Sequence, residues 1–158
     1  MIIQTERLVL RPFEDKDKIW YYNLTQDTEF INRLPGLLTR DYEHAAMDVD
    51  IFKRADYIND FYLVIEDKLS NPIGCIVAVS MSSLVIDVSY FLEKRYRGSG
   101  YMTEAVKAFV NQVKAKYSSR VFEFQVAKDN TKSLGVIKRL GASIEAFNKE
   151  YDTYICYI

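Results

Sequence analysis

The stretch "RYRGSGYMTEA" (residues 95–105) brings together two arginines, a Gly-x-Gly pair and the beginning of an amphipathic helix. The N–H groups of a glycine-rich turn that leads into a helix converge on one point, and the helix dipole adds positive charge there. Gly98 and Gly100 allow backbone conformations that a Cβ would resist, so an anion can come close. Mobile positive charge around the turn comes from Lys94, Arg95 and Arg97. The stretch therefore predicts a site for a phosphate or a pyrophosphate.

Three kinds of nucleotide-binding protein that use a glycine-rich turn do not fit the sequence. The dinucleotide motif of a Rossmann fold needs a third glycine, and Thr103 stands in its place. That motif also requires an acidic residue at the end of a strand about 20 residues later, which is not found. A Walker loop needs a Gly-Lys-Ser/Thr sequence, and a protein kinase needs a longer chain and a catalytic-loop motif.

Before the turn, the pattern predicts one strand, two helices and three further strands. "RLVLRPF" (7–13) predicts the first strand, and acidic residues begin a helix over 14–24. Apolar residues recur at helical spacing over 42–55. Runs of β-branched and aromatic residues then predict three strands, at 61–66, 72–79 and 84–92. The short turns between these strands favour an antiparallel meander.

After the turn, the pattern predicts an amphipathic helix of about four turns over 101–117. A strand at 121–127 follows, then a short helix over 130–141 that an asparagine can cap and a glycine can end, and finally a hairpin. The long helix would place the strands 84–92 and 121–127 side by side and parallel. We therefore expect an α+β fold, a mixed α/β sandwich whose mostly antiparallel sheet has one parallel strand pair and flanking helices.

The composition indicates one folded domain over residues 1–158. Hydrophobic residues make up 49% of the chain, which is enough for a substantial core, so disorder is not expected as the main state. Basic and acidic residues nearly cancel, 21 against 22, whereas a general nucleic-acid binder would show a basic excess. No window has the roughly 18 apolar residues of a membrane span, and the beginning of the chain does not resemble a signal peptide. We expect a cytoplasmic protein that binds neither membranes nor nucleic acid.

Cysteine and histidine give no sign of a metal site. Cys75 and Cys156 lie far apart, lack a metal-binding spacing and sit in apolar strand-like runs, so we expect reduced core residues. The single histidine, His44, lies on the second predicted helix, away from the glycine turn, where we expect a solvated or packing role. No metal is predicted.

The glycine turn resembles the pyrophosphate motif of the GNAT superfamily of N-acetyltransferases, Gln/Arg-x-x-Gly-x-Gly/Ala between a strand and a helix. Arg95, Gly98 and Gly100 match the motif, and "YRGSGYMTEA" is similar to the ribosomal-protein N-terminal acetyltransferase (RimJ/RimL-type) branch. Further stretches resemble that branch: "TERLVLRPFEDKD" (5–17), "IDVSYFL" (86–92) and "NTKSLGVIKRLGA" (130–142). The resemblance covers nearly the whole chain with its spacing intact.

The resemblance implies a GNAT fold and acetyl-CoA as cosubstrate. In the family the pantetheine arm of coenzyme A lies along the strand before the glycine turn, which corresponds to Phe91 and Leu92. Asn130 matches an asparagine that hydrogen-bonds this arm, and Ser133 faces the same way on the helix. An asparagine at Asn130 would also simply cap the helix. The backbone amides that hold the pyrophosphate correspond to Arg97, Gly98, Ser99, Gly100, Tyr101 and Met102, with Thr103 beside them.

The reaction implied by the resemblance is attack of a neutral amine on the acetyl thioester. It needs a base for the amine proton, a donor for the oxyanion, such as a backbone N–H near Phe91, and a proton for the departing thiolate. Asp87 matches a glutamate of the branch and is the candidate base, or else it faces solvent or anchors a turn. Many members of the superfamily have a tyrosine as the acid where Ile137 stands, so Ser133 is the candidate acid or an ordinary helix serine. Tyr90 is either a wall of the pocket or a core aromatic residue.

The acceptor amine is not readable from the sequence, because in the family the N-terminal helices and the C-terminal hairpin select it. Four acidic residues near the second helix would attract a cationic amine or form a solvated helix face: Asp41, Glu43, Asp48 and Asp50. A protein N-terminus, a small-molecule amine and a polyamine all stay open, as do a homodimer and a longer acyl chain. The alternative function is a non-catalytic acyl-CoA-binding module that kept the cofactor site.

Overall fold

The computed structural model describes residues 1–29 and 41–158, so the part of the acceptor-selecting region at 30–40 lies outside the described residues. The helices are α1 (Asp17–Thr25), α2 (Tyr42–Phe52), α3 (Tyr101–Lys116) and α4 (Thr131–Leu140), with a short 3₁₀ helix at Lys94–Tyr96. The strands are β1 (Ile3–Gln4), β2 (Leu8–Pro12), β3 (Asp60–Asp67), β4 (Pro72–Ser80), β5 (Val85–Leu92), β6 (Val121–Ala127), β7 (Ser143–Asn148) and β8 (Thr153–Tyr157). Each predicted helix and strand is confirmed; β1 was not predicted, because two residues carry no pattern.

The strands form one eight-stranded sheet in the order β1-β2-β3-β4-β5-β6-β8-β7. Neighbouring strands are antiparallel except β5 and β6, which pair in parallel. Helix α3 supplies the crossover that a parallel pair requires. The mixed α/β class, the antiparallel meander and the parallel pair are therefore confirmed.

Helices cover both faces of the sheet, and each face has its own apolar core. Helices α3 and α4 pack on one face, with Val106, Phe109 and Ile137 against Leu63, Ile76 and Phe122. Helices α1 and α2 pack on the other, with Tyr21, Leu24 and Val49 against Phe13, Val64 and Phe91. Both cysteines are buried and unbonded, as predicted. Within the two described ranges, no helix combines the length and apolar character needed to cross a bilayer.

A buried ion cluster holds α1 against the sheet. Arg11 of β2 donates from Nη1 and Nη2 to the Asp17 carboxylate at 2.7 Å each, and from Nε to Glu66 of β3 at 2.7 Å. The side chains are almost fully buried. Asp17 also accepts from the N–H of Glu14, at 2.7 Å, and so directs the chain from β2 into α1.

Strands β5 and β6 separate part-way along their length. Their parallel register joins Val85 to Val121, Ile86 to Phe122 and Asp87 to Glu123. Beyond Asp87, β5 continues along β4 as far as Leu92, while β6 continues along β8 as far as Ala127. In the part of the chain that the structure describes, no strand pairs with residues 88–92 of β5 on the β6 side. This opening in the sheet leads towards the glycine turn.

Candidate active site

The glycine turn has the geometry of an anion site. Gly98 and Gly100 have φ angles of 84° and 80°, in the left-handed region that glycine adopts without a steric penalty. Gly100 is the N-cap of α3, and within the described residues no side chain caps this helix. The first N–H groups of α3 are therefore available to an anion. A Cβ at Gly98 would meet no atom of the described residues within 4 Å.

The side chain of Arg95 stays close to the turn and is accessible. It is 69% exposed, its Nε donates to Glu93 at 2.9 Å, and its guanidinium lies 4.8 Å from the ring centre of Tyr96. The side chain is thus accessible, and its role towards a phosphate stays a prediction.

The structure places the side chain of Arg97 against β5. Its Nε donates to the carbonyl oxygen of Leu92 at 2.7 Å, its guanidinium lies 4.8 Å from the ring centre of Phe91, and its Nη1 pairs with Glu29. Its backbone N–H donates to Lys94 O at 3.2 Å. The side chain and the amide of Arg97 thus both have partners within the chain, because a carbonyl and an aromatic ring of β5 lie within reach of the arginine. A role of the Arg97 amide towards a pyrophosphate stays a prediction.

An open cavity of about 440 Å³ borders the first turn of α3. It is lined by Thr103 and Lys107 of α3 and by Arg139 of α4, whose Nε donates to Thr103 Oγ1 at 3.2 Å. Lys107 and Arg139 bring two cations to the glycine turn that the sequence analysis missed. Helical spacing puts Lys107 one turn after Thr103, which was a usable signal, whereas the approach of α4 to α3 depends on tertiary packing.

Tyr90 and Ser133 meet at the opening between β5 and β6. Their hydroxyl oxygens lie 2.6 Å apart. Burial raises the pKa of Tyr90 to about 12, so the phenol keeps its proton near neutral pH. Asn130 caps α4 by accepting the N–H of Ser133 at 3.2 Å, which confirms the capping role. Its role towards pantetheine stays a prediction. Ile137 is buried in the core.

Asp87 lies where β5 and β6 separate, directly beside Glu123 in the parallel register. Burial, followed by the negative charge of Glu123, raises the pKa of Asp87. Glu123 itself accepts a hydrogen bond from the Tyr157 phenol at 2.6 Å. Side chains alternate along a strand, so Asp87 and Tyr90 project from opposite faces of β5. Glu123 and Tyr157 were not singled out from the sequence, because only strand register brings them to Asp87.

The acidic residues near α2 serve local structure. Asp41 caps α2 by accepting the N–H of His44 at 2.8 Å, and it lies 2.7 Å from His44 Nδ1. Asp50 pairs with Lys18 of α1 at 2.9 Å. The side chains of Asp41 and His44 are 64% and 61% exposed, in line with the solvated role expected for His44. These contacts favour a solvated helix face over an acceptor site at Asp41 and Asp50.

A model of the acetyltransferase (GNAT) domain matches residues 7–143 of the chain. The match includes the glycine turn, the opening between β5 and β6, and the whole of α4. The chain belongs to the GNAT acetyltransferase family. The predicted class of enzyme, an acetyl-CoA-dependent N-acetyltransferase, is thereby confirmed.

Similar proteins agree with the family assignment. The uncharacterized N-acetyltransferase YnaD of Bacillus subtilis (strain 168) is 25% identical over 152 residues, which cover 95% of this chain and 87% of YnaD. A GNAT-family acetyltransferase structure from Bacillus anthracis has a TM-score of 0.90 at 21% identity, over 100% of this chain and 98% of that one. RimL, a ribosomal L7/L12 alpha-N-protein acetyltransferase in complex with coenzyme A, has a TM-score of 0.89 at 16% identity, over 100% of this chain and 97% of the RimL chain. The shared GNAT fold agrees with the resemblance to the RimJ/RimL branch.

Proposed function

We propose that this GNAT protein transfers an acetyl group from acetyl-CoA to a primary amine, by direct attack of the amine on the thioester. The observation that carries the proposal is the separation of β5 from β6 beyond Asp87, which leaves an opening in the sheet that leads to the glycine turn. An extended pantetheine arm can join β5 in this opening as a strand would, while the pyrophosphate meets the N-terminus of α3. The thioester then lies beside Tyr90 and Ser133.

The cofactor-binding groups fall into three sets under this proposal. The backbone of Phe91 and Leu92 pairs with the pantetheine arm, and Asn130 adds a polar contact. Arg95 supplies positive charge near the phosphates. Amides of the turn and of the first turn of α3 bind the pyrophosphate, namely those of Gly98, Ser99, Gly100, Tyr101, Met102 and Thr103.

The groups that move protons in the proposed reaction lie on opposite faces of β5. Asp87 takes a proton from the acceptor ammonium, directly or through water, and the neutral amine attacks the carbonyl carbon. The new C–N bond forms and the nitrogen then loses its second proton to water, while the C–S bond breaks and its electron pair goes to sulfur. Ser133 gives a proton to the thiolate, Tyr90 replaces it through the hydrogen bond between the two hydroxyls, and solvent returns a proton to Tyr90. A backbone N–H on the open edge of β5 stabilises the oxyanion.

A positively charged acceptor suits this site better than a neutral one. The proposed base lies on the face of the sheet that α1 and α2 cover, and Glu123 beside it adds a second carboxylate. Complementary charge would draw a cationic amine to that face. Protein N-termini are included because the fold is shared with RimL, and small-molecule amines and polyamines because their ammonium groups meet the same requirement.

The test is release of free thiol from acetyl-CoA in the presence of an acceptor panel of peptide N-termini, small primary amines and polyamines. We expect thiol release that depends on one class of acceptor, together with an acetylated amine in the mass spectrum. Asp87→Asn should suppress this release without preventing coenzyme A binding, because Asp87 does not contact the cofactor in the proposed arrangement. Tight coenzyme A binding with no acceptor-dependent release across the panel would favour the non-catalytic acyl-CoA-binding module, which Ile137 at the usual tyrosine position leaves open.

A further inference from the structure

A hydrogen-bonded network joins the beginning of β2 to the glycine turn, and no step of the proposed reaction uses it. Glu104 lies in the first turns of α3, and its Oε1 accepts from Thr5 Oγ1 at 2.6 Å and from the Arg7 N–H at 3.0 Å. Its Oε2 accepts from Arg7 Nε at 2.7 Å, and Arg7 Nη2 lies 2.7 Å from the same oxygen. Burial alone would raise the pKa of Glu104, but the bonds from Thr5 and Arg7 outweigh it and lower the pKa. The carboxylate is therefore ionised at neutral pH and holds the arginine in one orientation.

Arg7 in turn contacts successive residues of the glycine turn. Its Nη1 donates to the carbonyl oxygen of Ser99 at 2.9 Å, and its guanidinium carbon lies 4.5 Å from the ring centre of Tyr101. A Cβ at Gly100 would lie 3.5 Å from Arg7 Nη2, so the guanidinium packs directly against this residue. Arg7 thus bridges the Glu104 carboxylate and the backbone of the turn.

The hydrogen bond to Ser99 fixes the direction of a neighbouring N–H group. The C=O and N–H of a trans peptide point in opposite directions, and the described residues contain no cis peptide bond. With the Ser99 carbonyl held by Arg7, the N–H of Gly100 must point away from the guanidinium, where an anion can reach it. Both glycines of the turn lack the steric restraint of a Cβ, so an external restraint is needed to keep one conformation.

We propose that Arg7, held by Glu104 and Thr5, is a positioning residue that keeps the glycine turn in its anion-binding conformation before coenzyme A arrives. The inference rests on the proposed function, because it takes the pyrophosphate of coenzyme A as the ligand of the turn. If the turn is already ordered, less conformational entropy is lost when the ligand binds, so the affinity is higher. The network therefore acts on cofactor affinity and not on the chemical step.

The test compares coenzyme A affinity with the kinetic constants in Arg7 variants. Arg7→Ala should raise the calorimetric Kd for coenzyme A and the KM for acetyl-CoA about tenfold, the effect of one lost charge-assisted hydrogen bond. The kcat at saturating acetyl-CoA should change by no more than about twofold, the pattern of a lost uniform-binding interaction. Glu104→Gln should act in the same direction, and Arg7→Ala with Glu104→Gln should add little to Arg7→Ala alone, because the two residues act as one unit.

Arg7→Lys separates positioning from simple charge. Lysine keeps the positive charge but has no fork that can bond Glu104 and Ser99 together, so we expect an increase in Kd close to that of Arg7→Ala. Native affinity in Arg7→Lys, or in a folded Arg7→Ala, would overturn the proposal. If Arg7→Ala melts below the assay temperature, Arg7→Lys and Glu104→Gln decide the outcome by the same comparison.

Arg120 provides the matched control. Its Nη1 donates to Ser80 Oγ at 2.8 Å and to the carbonyl oxygen of Ser82 at 3.3 Å, so it also holds a turn, but outside the site. Arg120→Ala should leave the Kd for coenzyme A unchanged, and a tenfold increase there would assign the Arg7 effect to general loosening of the fold. Two different outcomes contradict the two proposals. The proposed function is wrong if the unmodified protein binds no coenzyme A. The positioning role is wrong if the unmodified protein binds coenzyme A and the Arg7 variants bind it equally well.

Discussion

The hydroxyl oxygens of Tyr90 and Ser133 lie 2.6 Å apart, although 43 positions separate the two residues in the chain. One comes from β5 and the other from the first turn of α4, and they meet where β5 and β6 separate. Burial raises the pKa of Tyr90 to about 12, so the phenol holds a proton that can pass through Ser133. In the proposed reaction this pair is the proton donor that Ile137 cannot be.

Ser133→Ala should lower kcat about a hundredfold, the effect of losing a general acid, with little change in the KM for acetyl-CoA. Tyr90→Phe should cause a smaller loss, because solvent can return a proton to Ser133. Adding Tyr90→Phe to Ser133→Ala should cost little more, since both act through one hydrogen bond. Steady-state kinetics on purified variants measure each constant. A native kcat in Ser133→Ala would mean that the thiolate takes its proton from another source.

The pH dependence of kcat/KM tests Asp87 as the base. Asp87 must be ionised to accept a proton, so the rate falls as the pH drops through its pKa. Burial and the charge of Glu123 raise that pKa, so the acidic limb of the pH–rate profile should lie above the ordinary aspartate pKa of 3.8. Glu123→Gln removes the neighbouring negative charge and should move the limb to lower pH. If the acidic limb of the pH–rate profile does not move in Glu123→Gln, a group other than Asp87 is responsible for it.

The stability of Asp87→Asn provides an independent check on the same carboxyl. A folded-state pKa above the unfolded value means that the native protein binds the proton more tightly. Stability is therefore lost as the pH rises through that pKa, and the ionised carboxyl weakens the fold at neutral pH. Asp87→Asn should lose activity while its melting temperature at pH near neutral stays the same or rises slightly. A clearly lower melting temperature would indicate a structural role for Asp87.

Gly98→Val should abolish measurable coenzyme A binding by calorimetry. Valine resists a φ of 84°, and its branched side chain would add bulk beside the amides of the turn. Gly141 is the matched control, since it has a φ of 80°, also has no described atom within 4 Å of a Cβ, and ends α4 without being part of the turn. Gly141→Val should lose similar stability, about 1–2 kcal/mol, and still bind coenzyme A. Normal coenzyme A affinity in a folded Gly98→Val variant would contradict the assignment of the turn as the pyrophosphate site.

The buried ion cluster makes a stability prediction. Arg11→Met leaves the carboxylates of Asp17 and Glu66 buried without their cation, which should cost about 3–5 kcal/mol in the free energy of unfolding. Urea denaturation measures the change. Lys128→Met removes a cation that is 55% exposed and paired with Asp152, outside the cluster, so it should cost under about 0.5 kcal/mol. A loss below about 1 kcal/mol in Arg11→Met would mean that the carboxyls become protonated or solvated instead.

Much of the fold could be predicted because its signals are local. The strand of residues 121–127 and the glycine turn were located from periodicity and residue type, since hydrogen-bond geometry and side-chain direction repeat every few residues. Gly98 and Gly100 were expected to allow conformations that a Cβ would resist, and both have φ angles in the left-handed region. The direction of the Arg97 side chain was not predictable, because it depends on a carbonyl and a ring that another element places beside it.

The sequence alone determined the order of helices and strands, the glycine turn and the resemblance to an acetyl-CoA-dependent family. These features depend on residues that are neighbours in the chain. The tertiary structure decided which distant side chains meet: Tyr90 with Ser133, Asp87 with Glu123, and Arg7 with Ser99. Strand register and the α3 crossover bring these pairs together, and both are set by burial of the two apolar cores over the whole sheet. Local patterns do not encode those distances, so the contacts behind the proposed proton donor and the proposed restraint on the turn are visible only in the folded chain.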